Sequence, residues 1–267
     1  KMRRFPRAFS GPGRMGRIPG GVGIPRFPSA RGRGGQGRQN GSYYLYMMLA
    51  QLAQQISQME YKPPITLGLM AINIGLHLNP SILGFSDPIQ ACCLKPSAIL
   101  GGAAEAPRRL LLSAFLHGSD HHLYYNMASL LWKGAQLERR LGGEAFLSLC
   151  GVLLVLSHAL VTVAALLLRE VGWFGPYSTC AVGFSAVLFG LKYVLNHGDP
   201  GQTAVMGIPL PTKHAAWLEL LAIQLVVPNA SFLGHLCGIL AGVVCVHTNL
   251  AKNRPLAAAA APPPPAT

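Results

Sequence analysis

From about residue 63 to residue 248, the chain alternates apolar runs with short polar connections. A helix that spans a bilayer needs about 20 mostly apolar residues, and the clearest run, 145–168, carries no charged residue. Shorter runs can span where the bilayer thins or where neighbouring helices shield polar ends. The pattern predicts an all-α, polytopic membrane protein with six transmembrane helices, at residues 65–78, 122–131 with its flanks, 145–168, 181–195, 215–227 and 231–248.

Residues 43–60 form a further, weaker apolar stretch. Leu45, Leu49 and Leu52 recur on one side of a helix, but several glutamines are interspersed in the second half. A mixed pattern of this kind is typical of an amphipathic helix that lies in the membrane interface. We therefore expect an interfacial helix at 43–60, followed by the six-helix membrane domain at 61–250.

Composition points in the same direction. Charged residues make up 12% of the chain and hydrophobic residues 51%, whereas a soluble domain carries about a quarter charged residues. This excludes a soluble enzyme, a disordered chain and a secreted module built on disulfides. With six spans, the basic tail and most other basic residues share one side, so the positive-inside rule places both ends in the cytosol or its topological equivalent.

Both ends of the chain are low in complexity. Residues 1–42 are rich in Gly, Arg and Pro and lack apolar periodicity, so we expect a disordered, solvated tail whose charge sets the topology. Two alternatives stay open for it. The run 31–38 resembles arginine-glycine RNA-binding segments, and an Arg-rich start without acids resembles an organelle presequence. Residues 251–267 form an Ala/Pro tail.

The six cysteines show no CxxC spacing, which argues against a zinc site. Cys92, Cys93 and Cys180 are the ones expected near water, and a disulfide among them is compatible with the sequence but not indicated by it. The other three lie inside apolar runs, where a cysteine behaves as a small hydrophobic residue: Cys150, Cys237 and Cys245.

Four polar residues fall at one depth on three of the predicted helices. The second, fourth and sixth helices all begin on the non-cytosolic side, and these residues lie within about two turns of that face. A lone Ser or Asn in a membrane helix is more often bonded to backbone. Four together indicate a functional site, because polar groups within a membrane are costly: His122, Asn126, Ser185 and His235.

Ser185 and His235 are residue types that together catalyse acyl transfer. A serine hydroxyl is a weak nucleophile and needs a base within about 2.6–3.2 Å. Gly234, Gly238 and Gly242 form a ridge of small residues on the sixth helix, and such ridges allow helix backbones to approach closely. We therefore expect a direct Ser–His contact between the fourth and sixth helices.

His122 and Asn126 are four residues apart, so they share one helix face. Both can donate hydrogen bonds, which suits an oxyanion hole. A metal site at Asp120, His121 and His122 is the alternative, but neither an HExxH motif nor a second carboxylate supports it, and we expect no metal. Asp199 falls on the opposite side of the membrane, so we expect a Ser–His dyad without a third, acidic member.

The motifs resemble those of the rhomboid intramembrane serine proteases. That family places HxxxN in the second span, GxS in the fourth, and a His followed by glycines in the sixth. The matching residues here are His122 with Asn126, Gly183 with Ser185, and His235 with Gly238 and Gly242.

Further family positions are matched outside these three motifs. His117 precedes the HxxxN motif as in the family, and Glu138 with Arg140 matches its basic-acidic feature after the second span. We expect these residues to be structural, together with the glycines of the sixth helix. The resemblance covers residues 63–248. The amino-acid sequence of the second and fourth spans is most similar to that of the endoplasmic-reticulum type of the family.

The resemblance implies cleavage of membrane-anchored proteins within or next to their transmembrane segments, without a cofactor. Ser185 would attack the scissile carbonyl, with His235 as general base and later general acid. His122, Asn126 and the Ser185 backbone N–H would hold the oxyanion. Gly183 belongs with them, because it leaves backbone room beside the serine.

Two departures from the family pattern stand out. Ala186 follows the serine where the family usually has Gly, and its methyl group would sit against the serine turn and tighten packing with the sixth helix. The Trp-Arg pair common in the first loop is absent, and Arg108–Arg109 is the nearest substitute. Neither departure removes a reacting group.

Two other classes of function compete with a protease. An inactive rhomboid-like protein would bind transmembrane clients for degradation, but it would have no need of both Ser185 and His235. A transporter would show inverted repeats and polar residues near mid-membrane, and no repeat is apparent.

The expected partners are single-span or polytopic membrane protein substrates, the lipid bilayer, and degradation machinery reached through the tails. Nucleic acid is not expected. The expected location is the endoplasmic-reticulum membrane, with a mitochondrial or plastid membrane as the alternative.

Overall fold

The structure is a computed structural model that describes residues 37–227 and 230–248. Apart from residues 37–42, the predicted tails at 1–42 and 251–267 lie outside the described residues. The helices in chain order are α1 Gly37–Ser57, α2 Pro64–Leu78, α3 Pro88–Cys92, α4 Pro96–Gly101, α5 Ala106–Leu112, α6 Asp120–Leu141, α7 Gly143–Glu170, α8 Gly175–Ser178, α9 Ser185–Asn196, α10 Ala215–Val226 and α11 Phe232–Thr248.

All six predicted spans are helices, and the all-α prediction is confirmed. They are α2, α6, α7, α9, α10 and α11, while the short helices α3, α4 and α5 occupy the first loop. An antiparallel hairpin of β1 (Gln202–Val205) and β2 (Ile208–Pro211) joins α9 to α10. Among the described helices, α7 alone is both long and apolar enough to cross a bilayer by itself; α2, α9 and α11 are shorter apolar helices.

Two of the predicted spans had the wrong ends. The second runs to Leu141 rather than residue 131, because polar side chains such as Lys133 and Glu138 are buried against neighbouring helices. The fourth begins at Ser185 rather than residue 181, because Gly183 has a φ of +117°, which interrupts a right-handed helix.

Glu138 fastens α6 to the start of α2. Its carboxylate accepts hydrogen bonds from the backbone N–H of Ile65 and of Thr66, both at 2.8 Å, and from the Thr66 hydroxyl at 2.7 Å. The first N–H groups of a helix have no partner within it, and an anion there is favourable. Arg140, the other half of the predicted pair, is exposed at the end of α6.

A second polar cluster joins three spans. Glu219 on α10 lies 3.5 Å from Lys133 on α6 and 2.6 Å from Lys192 on α9. Lys133 also donates to the Ser129 hydroxyl at 2.6 Å. Together with the packing of Ala216 and Leu220 against neighbouring apolar residues, these ion pairs attach α10 to the bundle.

Helix α1 begins earlier than the predicted 43–60 segment, and one of its faces packs on the bundle. Leu45 and Leu52 are buried in the main core, and the Tyr124 hydroxyl donates to Gln51 Oε1 at 2.8 Å. The exposed face carries tyrosines and glutamines. That the segment lies in the membrane interface stays a prediction.

Candidate active site

Ser185 is the first residue of α9, at the end of an extended segment. Ala181, four residues earlier, forms a two-residue antiparallel bridge with Leu94 of the first loop, and the Gly183 N–H donates to the Ser113 carbonyl at 2.9 Å. The segment is therefore strand-like at Ala181 and turns at Gly183 and Phe184 into α9. A helix start presents unpaired N–H groups and a partial positive charge, both of which favour a developing oxyanion beside the serine.

His235 on α11 reaches Ser185 directly. Its Nε2 lies 3.0 Å from the Ser185 hydroxyl oxygen, within the reach that a nucleophile and base require. Its ring is buried and stacks on Phe189, with centroids 4.5 Å apart and planes 28° from parallel. Since Phe189 lies one helical turn after Ser185, α9 both supplies the nucleophile and orients the base.

Helices α9 and α11 approach closely because glycines face backbone. A Cβ added to Gly238 would lie 2.1 Å from the Ala186 carbonyl oxygen, and one added to Gly242 would lie 2.8 Å from that of Gly190. On the α9 side this close contact involves the Ala186 carbonyl group, and that the Ala186 methyl group tightens the packing stays a prediction.

Gly234 has a different role from the one predicted. Its added Cβ would meet the Ser231 side chain at 2.9 Å, and its N–H donates to the Ser231 hydroxyl at 3.1 Å. It therefore belongs to the first turn of α11 and does not form part of the contact with α9.

His122 lies against the segment that precedes the serine. A Cβ on Gly183 would lie 2.6 Å from Cε1 and 2.7 Å from Nε2 of His122. Gly183 is thus required both for its positive φ and for the space that the His122 ring occupies. The structure brings Ser185, His235 and His122 around the start of α9.

Asn126 is buried one turn after His122 on α6. Its Nδ2 donates to the His122 carbonyl at 2.7 Å, which uses one of its two amide hydrogens. His117 lies beside the same group, with its ring centroid 5.0 Å from that of His122. Burial lowers the pKa of His117 to about 3, so this residue is neutral at physiological pH and packs as a structural group.

Sequence reasoning assigned no role to Phe189 or His158. Phe189 resembles any lipid-facing aromatic residue in the sequence, and only the fold places it on His235. His158 on α7 is buried, and its Nδ1 lies 2.7 Å from the Leu110 carbonyl oxygen. It ties α7 to α5 and lines the small cavity beside Ser185.

The cysteines of the first loop depart from expectation. Cys93 forms a disulfide with Cys180, which the sequence did not indicate because spacing does not reveal connectivity. Cys92 is free, and both Cys92 and Cys93 are fully buried, so their predicted position near water is wrong. The three cysteines of the apolar runs are free and buried, as predicted.

The buried side chain of Arg109 forms hydrogen bonds with three residues of the same loop. Its Nη1 donates to the carbonyl oxygens of Gln90 at 3.0 Å and Cys93 at 3.1 Å, and its Nε donates to Glu105 at 2.8 Å. The hydrogen bond from Arg109 holds the pKa of Glu105 below its usual range. A buried guanidinium thus joins backbone groups that are distant in sequence.

Comparison with known proteins agrees with the motifs. The Rhomboid domain matches residues 104–252. Over 216 residues the chain is 41% identical to Rhomboid-like protein 14, mitochondrial, of Arabidopsis thaliana, covering 79% of this chain and 63% of that protein. Over 192 residues it is 41% identical to Rhomboid-related protein 4 of Homo sapiens, covering 71% and 59%.

The match spans about three fifths of the length of these relatives. The domain match includes five of the six spans, α6, α7, α9, α10 and α11, and therefore Ser185, His235, His122 and Asn126. The domain match and the helical bundle together identify a polytopic membrane protein, although α7 is the one described helix that is both long and apolar enough for a full span by itself. The chain belongs to the rhomboid family.

Proposed function

We propose that this protein is an intramembrane serine endopeptidase that cleaves membrane-anchored proteins within or next to their transmembrane segments. The observation that carries the proposal is the 3.0 Å separation of the Ser185 hydroxyl oxygen and His235 Nε2. Family membership supports a protease but includes inactive proteins, so the argument rests on this pair and its surroundings.

The chemistry follows the general course of acyl transfer. His235 takes the hydroxyl proton as the Ser185 oxygen attacks the scissile carbonyl, and it returns that proton to the leaving amine. Water, deprotonated by His235, then hydrolyses the acyl-enzyme and regenerates the serine. Stacking on Phe189 keeps the imidazole in place, which replaces part of the orienting role that an acidic residue has in a triad.

The oxyanion is assigned to groups at the start of α9. The Ser185 N–H lies at a helix start, and His122 contacts the Gly183 backbone position. The second amide hydrogen of Asn126 is available as a further donor. Loss of one oxyanion donor costs on the order of 10²–10³ in rate, so His122→Ala is expected to be severe without removing the nucleophile.

The decisive experiment labels Ser185 with a fluorophosphonate probe and measures cleavage of a single-span reporter substrate. Ser185→Ala should abolish both and leave the protein folded, and His235→Ala should abolish labelling because the hydroxyl is no longer activated. Labelling of His235→Ala at the wild-type rate would count against the dyad. A folded wild type that neither labels nor cleaves would favour the alternative, an inactive rhomboid-like protein that binds transmembrane clients for degradation.

Location and partners are part of the same proposal. The motif resemblance favours the endoplasmic reticulum, whereas one matched relative carries a mitochondrial name. We propose the endoplasmic-reticulum membrane, with a mitochondrial membrane as the alternative that organelle fractionation would reveal. Substrates would be single-span or polytopic membrane proteins that reach the site from the bilayer, and the tails would contact degradation machinery.

A further inference from the structure

The Cys93–Cys180 disulfide joins the first loop to the segment that ends at the nucleophile. The two cysteines lie 87 positions apart in the sequence. Next to the disulfide, Leu94 and Ala181 exchange two backbone hydrogen bonds, of 2.8 Å and 3.0 Å. The covalent bond and the bridge therefore hold the same two segments together, five and four residues before Ser185.

The residues that follow the two cysteines form walls of the cavity at the nucleophile. This cavity of about 30 Å³ is lined by Leu94, Ala181, Gly183 and Ser185, among others. A space of that size holds one or two water molecules or a small side chain. Its dimensions depend on the distance between the first loop and the segment before α9, which the disulfide fixes.

The loop on the Cys93 side is cross-linked internally by hydrogen bonds. Arg109 is 8% exposed and bonds the Cys93 carbonyl oxygen as well as that of Gln90. The disulfide between Cys93 and Cys180 therefore links this cross-linked loop covalently to the segment before α9. When the disulfide is absent, the two main-chain hydrogen bonds between Leu94 and Ala181 and the one from the Gly183 N–H to the Ser113 carbonyl are left to hold the loop against this segment.

We propose that the Cys93–Cys180 disulfide is a positioning element of the catalytic cleft, and that the protease is fully active only while this face opens to an oxidising compartment. This rests on the proposed function. A dithiol reductant would give two electrons and two protons to the disulfide, which becomes two thiols as the dithiol becomes a disulfide. Structural disulfides persist on the oxidising side of cellular membranes, which agrees with the topology expected from the basic residues.

The test uses the full chain reconstituted in vesicles, with and without dithiothreitol. Peptide mapping without reduction should find Cys93 linked to Cys180. Reduction should lower kcat/KM for a reporter substrate by about tenfold or more, since a misplacement of about 1 Å can cost on the order of 10²-fold, and reoxidation should restore it. The double variant Cys93→Ser, Cys180→Ser should have the kcat/KM of the reduced wild type, and the reductant should not change it. Cys92→Ser on the same loop is the control and should respond to the reductant as the wild type does.

A second readout separates positioning from simple stabilisation. Reporters with Ala and with Leu at the cleavage position should be discriminated less after reduction, at a temperature where the reduced protein is still folded. Equal rates and equal discrimination in both redox states would overturn the proposal, as would free thiols at both cysteines in the purified protein.

Failure of the proposed function gives a different pattern. In that case the oxidised wild type neither labels with fluorophosphonate nor cleaves. Proteolytic sensitivity of residues 80–115 then tests the disulfide by itself: it should rise on reduction in the wild type and stay constant in the double variant. Equal proteolytic sensitivity of the oxidised and reduced wild type would overturn the positioning role, whether or not the protein is catalytically active.

Discussion

Replacement of Gly238 by Ala should separate the two helices that carry Ser185 and His235. The added Cβ would lie 2.1 Å from the Ala186 carbonyl oxygen, whereas ordinary contact begins at 3.4 Å. Because the obstacle is backbone, no side-chain rotation relieves it, and the helices must part by up to about 1.3 Å, the difference between those two distances. The 3.0 Å Ser–His bond would then exceed roughly 3.5 Å and cease to be a hydrogen bond.

The expected loss is large for catalysis and moderate for stability. A misplacement of about 1 Å can lower a rate on the order of 10²-fold, while one extra methyl group in a packed interior costs about 1–3 kcal/mol. Gly238→Ala should therefore fold but label with fluorophosphonate and cleave a reporter about 100-fold more slowly, per molecule of monodisperse protein. Gly151→Ala on α7 is the matched control, because nothing lies within 4 Å of its added Cβ.

Gly242→Ala supplies an intermediate step. Its Cβ would lie 2.8 Å from the Gly190 carbonyl oxygen, so it demands a smaller displacement, one turn further from the dyad. The rates of labelling and cleavage should fall in the order Gly151→Ala, Gly242→Ala, Gly238→Ala. If Gly238→Ala does not fold, the first two variants still test whether helix approach affects the rate. Wild-type labelling by a folded Gly238→Ala, or a reversed order, would refute the claim that helix approach positions the dyad.

Two further predictions concern stability. Burial lowers the pKa of His117 to about 3, below the usual value of about 6.5. As pH falls, the unfolded chain therefore binds a proton at this histidine before the folded protein does. The stabilising effect of the neutral ring is complete above about pH 6.5 and is lost as pH falls toward 3. His117→Asn should therefore weaken the fall in thermal stability between about pH 7 and pH 4, measured by Tm in detergent, and an unchanged pH profile would contradict this cause. Glu138→Gln replaces a carboxylate that accepts three hydrogen bonds, each contributing about 1.5–3 kcal/mol when the acceptor is charged. A loss of about 2–4 kcal/mol should lower Tm by about 10 °C, whereas Glu144→Gln, at an exposed position, should not shift it; equal shifts in the two variants would contradict the capping role.

The six spans were predictable because each is an apolar run between polar connections, a pattern that survives in the sequence regardless of packing. Their ends were less predictable. The start of α9 is set by the positive φ of Gly183, and the end of α6 is set by buried partners such as Thr66, which bonds Glu138 from another helix. Both depend on contacts that a local pattern does not contain.

The candidate site divides in the same way. Ser185, His235 and His122 were recognisable because polar residues are rare in an apolar chain, and the structure brings them together at one helix start. Phe189 and the Cys93–Cys180 pair were not, since a phenylalanine in a membrane helix is unremarkable by sequence and cysteine pairing depends on the tertiary fold. Residues that react are therefore easier to identify than residues that hold them in place.

The cluster of Lys133, Lys192 and Glu219 makes insertion of α10 into the bilayer depend on two helices that are synthesised before it. Charged side chains inserted alone cost up to about 2.5–3.5 kcal/mol each at a helix centre, and ribosomes deliver α6 and α9 before α10. The two lysines are therefore inserted before the acid that pairs with both of them. A nascent chain that ends before residue 215 would carry unmatched cations in its spans, so retention of the fifth span in the bilayer is coupled to the prior arrival of the second and fourth.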